Sequence, residues 1–196
     1  MSQSAPGAGV AAWDLETEQR VDVLEHLLAI GTVLSGAQDL DSLLRFILEK
    51  SREITKSDAG SVFLVDRSDP AQPQLVFKIA QNDSLAALRV QETRLAMRAD
   101  SLAGCAALTG KALNIPDVYH PPPGIAFNSE FDRLHGYRTV SMLVLPMLNQ
   151  QREVIGVLQL INRKKSSRLR LTPENAVEYT HPYSPQEARI LMSLAS

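Results

Sequence analysis

Residues 139–162 read TVSMLVLPMLNQQREVIGVLQLIN, and this stretch decides the fold. Two apolar runs, 140–148 and 154–161, flank a polar bend of Asn149, Gln150, Gln151, Arg152 and Glu153. Each run has strand length, and the second is rich in β-branched residues and free of proline. A short polar bend between such runs reads as an antiparallel hairpin. Apolar side chains fall on both faces of both runs, so the sheet they join must be covered on each side. Polar atoms interrupt the pattern at Thr139, Ser141 and Gln159. A polar side chain on a buried strand costs free energy unless it finds a hydrogen-bonding partner. That partner is either another protein group or a ligand. Pro146 has no N–H to give to a ladder, which predicts a bulge or an unpaired position there.

Outward from the hairpin, a helical period carries Val21, Leu24, Leu27, Leu28 and Leu34, ending at Gly36. A second helix bears Leu43, Leu44, Ile47, Leu48 and Ile54, with Asp39 or Asp41 as its N-cap. Strands are predicted over 59–65, 74–80, 93–97 and 112–115, and short helices over 102–109 and 129–134. Residues 82–90 read as a helix-or-loop connection. Three consecutive prolines make 120–124 irregular. After Asn162 the chain turns basic, then polar, as far as His181. Ser184, Pro185 and Glu187 then form an S-x-x-E capping box for a helix carrying Ile190, Leu191 and Leu194. Short connections and hairpins imply an antiparallel sheet with helices packed over it, an α+β fold. The apolar faces of the two terminal helices call for a partner helix, in a homodimer or a following domain.

The composition, 44% hydrophobic and 21% charged over 196 residues, suits one globular domain with extensions. A net charge of −2 argues against a nucleic-acid partner, which would ask for a basic face. The single Cys105 excludes an internal disulfide and a multi-cysteine metal cluster, and fits a cytoplasmic location. No stretch approaches the roughly 20 apolar residues of a membrane span, so no membrane partner is expected. The N-terminus lacks the pattern of a signal peptide. The four histidines, His26, His120, His135 and His181, show no metal-binding spacing. No catalytic motif is present, so the chain is read as regulatory and not an enzyme.

Several motifs in order carry a family resemblance. Asn128-Ser129-Glu130-Phe131-Asp132, Gly136-Tyr137-Arg138-Thr139, Leu145-Pro146 and the run from Val154 through Gln159 to Asn162 resemble the core of a GAF domain. The variety is that of cyclic-nucleotide phosphodiesterases and cyanobacterial adenylate cyclases. Ser61 to Asp66 resembles the family's first strand, and Leu102-Ala103-Gly104, Thr109-Gly110-Lys111 and Asn114-Ile115-Pro116-Asp117 its middle segment. The resemblance implies a GAF/PAS-like six-stranded antiparallel sheet, helices on one face and a ligand pocket under loops on the other. It places ligand-binding roles on Ser61, Gln81, Asp132, His135, Thr139 and Gln159. Gln81 and Gln159 stand where the family carries acids, and an amide only partly replaces a carboxylate as acceptor. The family's structural Lys–Asp salt bridge falls on Arg163 and Glu187, with Tyr183 at its aromatic position. No cofactor is implied beyond a possible cyclic-nucleotide ligand.

The basic linker and the Leu171-Thr172-Pro173-Glu174 stretch further resemble GAF domains that precede an HD-GYP metal-dependent phosphohydrolase. The organisation expected is a disordered segment over 1–14, a dimerisation and signalling helix over 15–37, a GAF core over 38–183, and over 184–196 the start of a signalling helix toward an output domain. The function expected is small-molecule sensing in a bacterial signalling protein. The alternative is a ligand-free dimerisation scaffold whose pocket is filled by Phe127, Tyr137 and Met142. Three bland readings stand beside these. Asp132 could simply cap its short helix, Cys105 could be a small buried residue among alanines, and 163–170 could be a solvated loop. A methionine-sulfoxide reductase of the same fold would need several clustered cysteines.

Overall fold

A computed structural model of the chain describes residues 40–85 and 93–195. The chain divides into two compact units, Met1–Leu43 and Leu44–Ser196. Only 40–43 of the first are described, so the expectations for 1–14 and 15–37, the Asp39 cap and most of the 82–90 connection lie outside the described residues. The element order is α1 (Leu40–Thr55), β1 (Ser57–Asp66), β2 (Gln74–Asn82), β3 (Arg94–Ala96), α2 (Leu102–Thr109), β4 (Leu113–Ile115), α3 (Glu130–His135), β5 (Met142–Leu148), β6 (Val154–Lys164), α4 (Ala176–Tyr179), β7 (Thr180–His181) and α5 (Pro185–Leu194). Six strands run in the order β3-β2-β1-β6-β5-β4, every neighbouring pair antiparallel, and the two-residue β7 adds to the end of β6. Both margins of the six-strand path, β3 and β4, are three residues long.

The period-2 alternation of strands explains why both central runs are apolar throughout. Val62, Ile79, Leu143, Leu145, Leu158 and Leu160 turn to one face, where Leu44 and Leu48 of α1 and Leu191 of α5 cover them. Phe63, Leu75, Met142, Val144 and Val157 turn to the other, against the alanines of α2 and against Ile115 and Val118. Gly60 allows α1 to come close: a Cβ there would sit 2.7 Å from Leu48 Cδ1 and 2.8 Å from the Gln159 carbonyl oxygen.

The hairpin bend is closed by Asn149, whose Oδ1 accepts the Glu153 N–H at 2.9 Å, with Arg152 in the left-handed region at φ 62°. Pro146 lies opposite Val157, beyond the last β4–β5 pair at Val144, so on that side no ladder needs its missing N–H. The register irregularity falls one step later than expected, between Met147 and Leu148. Helix α2 is capped by Ser101, whose Oγ accepts the Gly104 N–H, and is ended by Gly110 at φ 62°. Cys105 on α2 is half-buried rather than enclosed, although Ala103, Ala106 and Ala107 around it are buried.

Helix α4 and strand β7 arise in the polar stretch where no element was expected, anchored by buried Leu171, Ala176 and Thr180. At α5 the Ser184 Oγ accepts the Glu187 N–H at 3.1 Å while the Ser184 N–H donates to Glu187 Oε2 at 2.7 Å. Ser184→Ala removes the first of these bonds and is expected to lower stability by about 1 kcal/mol. Equilibrium urea denaturation would measure it as a lower midpoint at unchanged slope. Among the described residues, no helix is long and apolar enough to cross a membrane, and no cluster of His, Cys, Asp and Glu is arranged to hold a metal ion.

Candidate functional site

On the α2 side of the sheet lies a cavity of about 320 Å³. Its floor is the inner face of β2, β1 and β6, and its roof is the start of α2 together with residues from 126 to 139. At the floor, Ser61 lies opposite Gln159 across the β1–β6 ladder, and its Oγ donates to Gln159 Oε1 at 3.1 Å. Period 2 puts Ser61 on the same face as Phe63, and directly opposite pairs share a face, so this polar spot sits within an apolar floor. The Phe63 and Phe77 rings meet edge to face beside it, their centroids 5.1 Å apart.

The roof is pinned by Asp132. Its Oδ2 accepts the Thr139 N–H and the Tyr119 hydroxyl, each at 2.8 Å, and its Oδ1 accepts the Thr139 hydroxyl at 2.8 Å. Asp132 and Thr139 are both buried. Burial first, and then the hydrogen bond to Asp132, raises the Tyr119 hydroxyl above its ordinary value of 10.0. Arg138 lies over the Tyr119 ring at 3.7 Å, a cation–π contact, and Phe127 packs against the same ring with centroids 5.2 Å apart. Asp132 thus joins three parts of the roof, namely α3, the approach to β5 and the loop after β4. It does not cap α3, whose first turn it occupies.

The sequence profile of the GAF domain family matches residues 39–196. The chain belongs to the GAF domain family. Over 152 residues it is 28% identical to the dual 3',5'-cyclic-AMP and -GMP phosphodiesterase 11 of Drosophila melanogaster, a match covering 74% of this chain and 10% of that protein's length. In structure it is similar to the GAF domain from a phosphoenolpyruvate-protein phosphotransferase of Coxiella burnetii, with a TM-score of 0.61, 20% identity and 89% of each chain covered. It also resembles the free methionine-R-sulfoxide reductase from Neisseria meningitidis in complex with its substrate, with a TM-score of 0.50, 24% identity, and 98% and 93% of the two chains covered. These two likenesses bear on fold alone. GAF domains are sensory and regulatory modules that commonly bind ligands, and this chain's family is of that kind.

The remaining residues assigned by resemblance are placed unevenly in this GAF domain. Gln81 borders the cavity, but its side chain turns to the opposite face of the sheet. It lies across from Gly60, which faces Leu48, and its Oε1 accepts from Arg52 at 3.0 Å while its Nε2 donates to the Arg45 carbonyl at 3.1 Å. His135 lies outside the cavity lining, exposed, with its ring 4.5 Å from that of Phe131. The Gln81 amide is thus engaged by Arg52 and Arg45 on the helix-covered face, and His135 is not among the lining residues. Arg163 Nε donates to Glu187 Oε1 at 2.7 Å, half-buried, and neither residue is among those lining the cavity. Phe127, Tyr137 and Met142 line the cavity without filling it.

The residues that escaped the sequence reading form an ionic cluster behind Tyr137, buried at Asp58 and Lys164 and open to solvent at Asp83. Asp58 and Lys164 have side-chain exposures of 0% and 1%, and lie 3.1 Å apart. Lys164 Nζ also donates to Asp83 Oδ2 at 2.8 Å and to the Leu169 carbonyl at 3.1 Å. Arg52 bonds the other Asp83 oxygen and donates to the Asp58 carbonyl at 2.9 Å. The Tyr137 hydroxyl donates to Asp58 Oδ2 at 2.8 Å and accepts from Asn162 Nδ2 at 3.1 Å. Burial first, and then the Asp58 charge, pushes that hydroxyl well above 10.0. Lys164 corrects the reading of 163–170 as a solvated loop. Strand alternation, continued past Leu160 and Asn162, was the signal that Lys164 would point inward.

Proposed function

We propose that this GAF domain is the ligand-sensing regulatory module of a signalling protein. A small molecule enters the cavity and rests on the Ser61–Gln159 pair. The roof pinned by Asp132 and Thr139 closes over it. A ligand shifts the balance of open and closed arrangements only by its difference in affinity for the two, and α1 and α5, packed on the far face of the same sheet, relay that shift. The observation that carries this reading is the cavity itself. Its volume of about 320 Å³ lies at the small end of the range of roughly 300–1,000 Å³ for ligand sites. That size suits a mononucleotide-sized ligand better than a cyclic dinucleotide. The phosphodiesterase relative makes cyclic AMP and cyclic GMP the first nucleotides to try. A bacterial setting and an HD-GYP-type output domain are the context the linker resemblance suggests, and the apolar faces of the terminal helices suggest a homodimer through them.

Calorimetric titration with cyclic GMP, cyclic AMP and cyclic di-GMP, alongside guanosine and adenosine, tests the reading. Saturable one-to-one binding of any of them supports sensing. One observation favours the scaffold reading instead: the Asp132 carboxylate already accepts three hydrogen bonds from protein donors, two at Oδ2 and one at Oδ1. Silence across the whole panel, with a stable dimer in light scattering, would favour that scaffold.

A further inference from the structure

We infer that the Ser61–Gln159 pair reads a purine ring edge of either polarity, so that the cavity takes ligands of the adenine type and of the hypoxanthine or guanine type with similar affinity. This rests on the sensing reading above and names the ligand class of the same site. The two side chains face each other across the β1–β6 ladder, and Ser61 Oγ donates to Gln159 Oε1 at 3.1 Å. Ser61 is buried, Gln159 is half-buried, and both line the cavity. Among the described residues, neither side chain bonds any other protein group. Phe63, Phe77, Phe127 and Phe131 border the same space, and aromatic rings suit the faces of a flat heterocycle.

A hydroxyl both donates and accepts, and a primary amide carries a donor and an acceptor side by side. A hydrogen bond between the two therefore has two forms. In the first, Ser61 donates to the amide oxygen, which leaves the Gln159 NH₂ as a donor and the Ser61 lone pairs as an acceptor for a ligand. Half a turn of the amide about its last bond makes the NH₂ donate to Ser61 Oγ. Gln159 Oε1 is then the acceptor and the Ser61 O–H the donor. The contact between the two side chains is kept, and what each offers to a ligand is exchanged. An adenine edge places an acceptor ring nitrogen beside a donor amino group. A hypoxanthine or guanine edge places a donor ring N–H beside an acceptor carbonyl. The first edge meets the first form and the second edge the turned form, in one pose, with the ring nitrogen on Gln159 and the exocyclic group on Ser61. Neither base leaves a mismatched polar group behind, and such mismatch is what gives a polar site its discrimination.

Cyclic AMP and cyclic IMP differ only along this edge, and calorimetry on the full chain with the two tests the claim. Their affinities are expected to agree within about fivefold. Gln159→Glu fixes an acceptor where the amide turns. It is expected to favour cyclic IMP over cyclic AMP by about tenfold or more, because the adenine ring nitrogen then faces a carboxylate. Gln159→Leu removes donor and acceptor alike and is expected to weaken both nucleotides about tenfold at an unchanged ratio, which tests the claim should Gln159→Glu fail to fold. A larger preference in the natural protein, or one that Gln159→Glu leaves unmoved, overturns the inference and leaves sensing intact. Unchanged affinities in Gln159→Leu place the ligand elsewhere and overturn it as well. Silence with both nucleotides overturns the inference, while sensing stands if another compound of the panel above binds and falls with it if none does.

Discussion

Lys164→Ala is expected to destabilise this GAF domain by about 3–5 kcal/mol, the scale for removing one member of a buried ion pair. The ammonium group is the shared partner of Asp58 and Asp83, and it also satisfies the Leu169 carbonyl. Its removal leaves the fully buried Asp58 with hydroxyl partners only, Tyr137 and Ser84. Uncompensated buried charge, rather than the loss of attraction alone, sets the size of the effect. The double variant Asp58→Asn/Lys164→Met is therefore expected to cost less than the sum of its single changes, and urea denaturation of the four proteins of the cycle measures the coupling.

The same cluster gives the penalty a pH dependence. Burial alone would push the Asp83 carboxyl up, but hydrogen bonds and charge from Lys164 and Arg52 outweigh it and hold Asp83 below its ordinary 3.8. A carboxylate depressed on folding adds stability that is complete above its unfolded pKa and disappears as pH falls through its folded value. The natural protein sheds this contribution below about pH 4, whereas Lys164→Ala has less of it to shed. The stability gap between the two proteins should narrow in that acid range. A gap that stays constant or widens there would show that Asp83 does not draw its stabilisation from Lys164.

Asp132→Ala is expected to cost about 3 kcal/mol, because the buried Thr139 N–H, the Thr139 hydroxyl and the Tyr119 hydroxyl all lose their acceptor. Asp132→Asn is a poor substitute. All three of its partners donate, and one carboxylate oxygen becomes an NH₂ that can only donate in return. Its cost should fall between that of the natural residue and that of alanine. A second readout separates the pinning role from generic damage. The Tyr119 hydroxyl is raised by burial and by Asp132, so removing the carboxylate should bring its alkaline absorbance titration down toward 10.0. An unchanged titration in a folded Asp132→Ala protein would show that Tyr119 is not held by Asp132.

What the sequence discloses tracks the physics of each element. Helix α2 is visible over its whole length because small residues run from Leu102 to a glycine at the αL position, Gly110. The β5–β6 hairpin is visible because its apolar runs are long and its bend is polar. Helix α4 and strand β7 carry no periodic signal, since four- and two-residue elements exist only through tertiary contacts. At the site, Ser61, Asp132, Thr139 and Gln159 line the cavity. What the chain alone could not disclose is that Asp132 spends its acceptors on the protein. Gln81 was misplaced because its facing depends on its register with Gly60, a long-range property. Lys164 was hidden in a basic run, where composition suggests solvent and only strand alternation suggests the interior.

The brevity of β3 and β4 has a consequence for the margins of the sheet. An exposed sheet edge is a template on which another chain can build strands. Here each flank presents just three residues of paired strand, and along β5 beyond the reach of β4 the ladder is spoiled by Pro146. That geometry leaves little regular strand edge for strand-on-strand stacking.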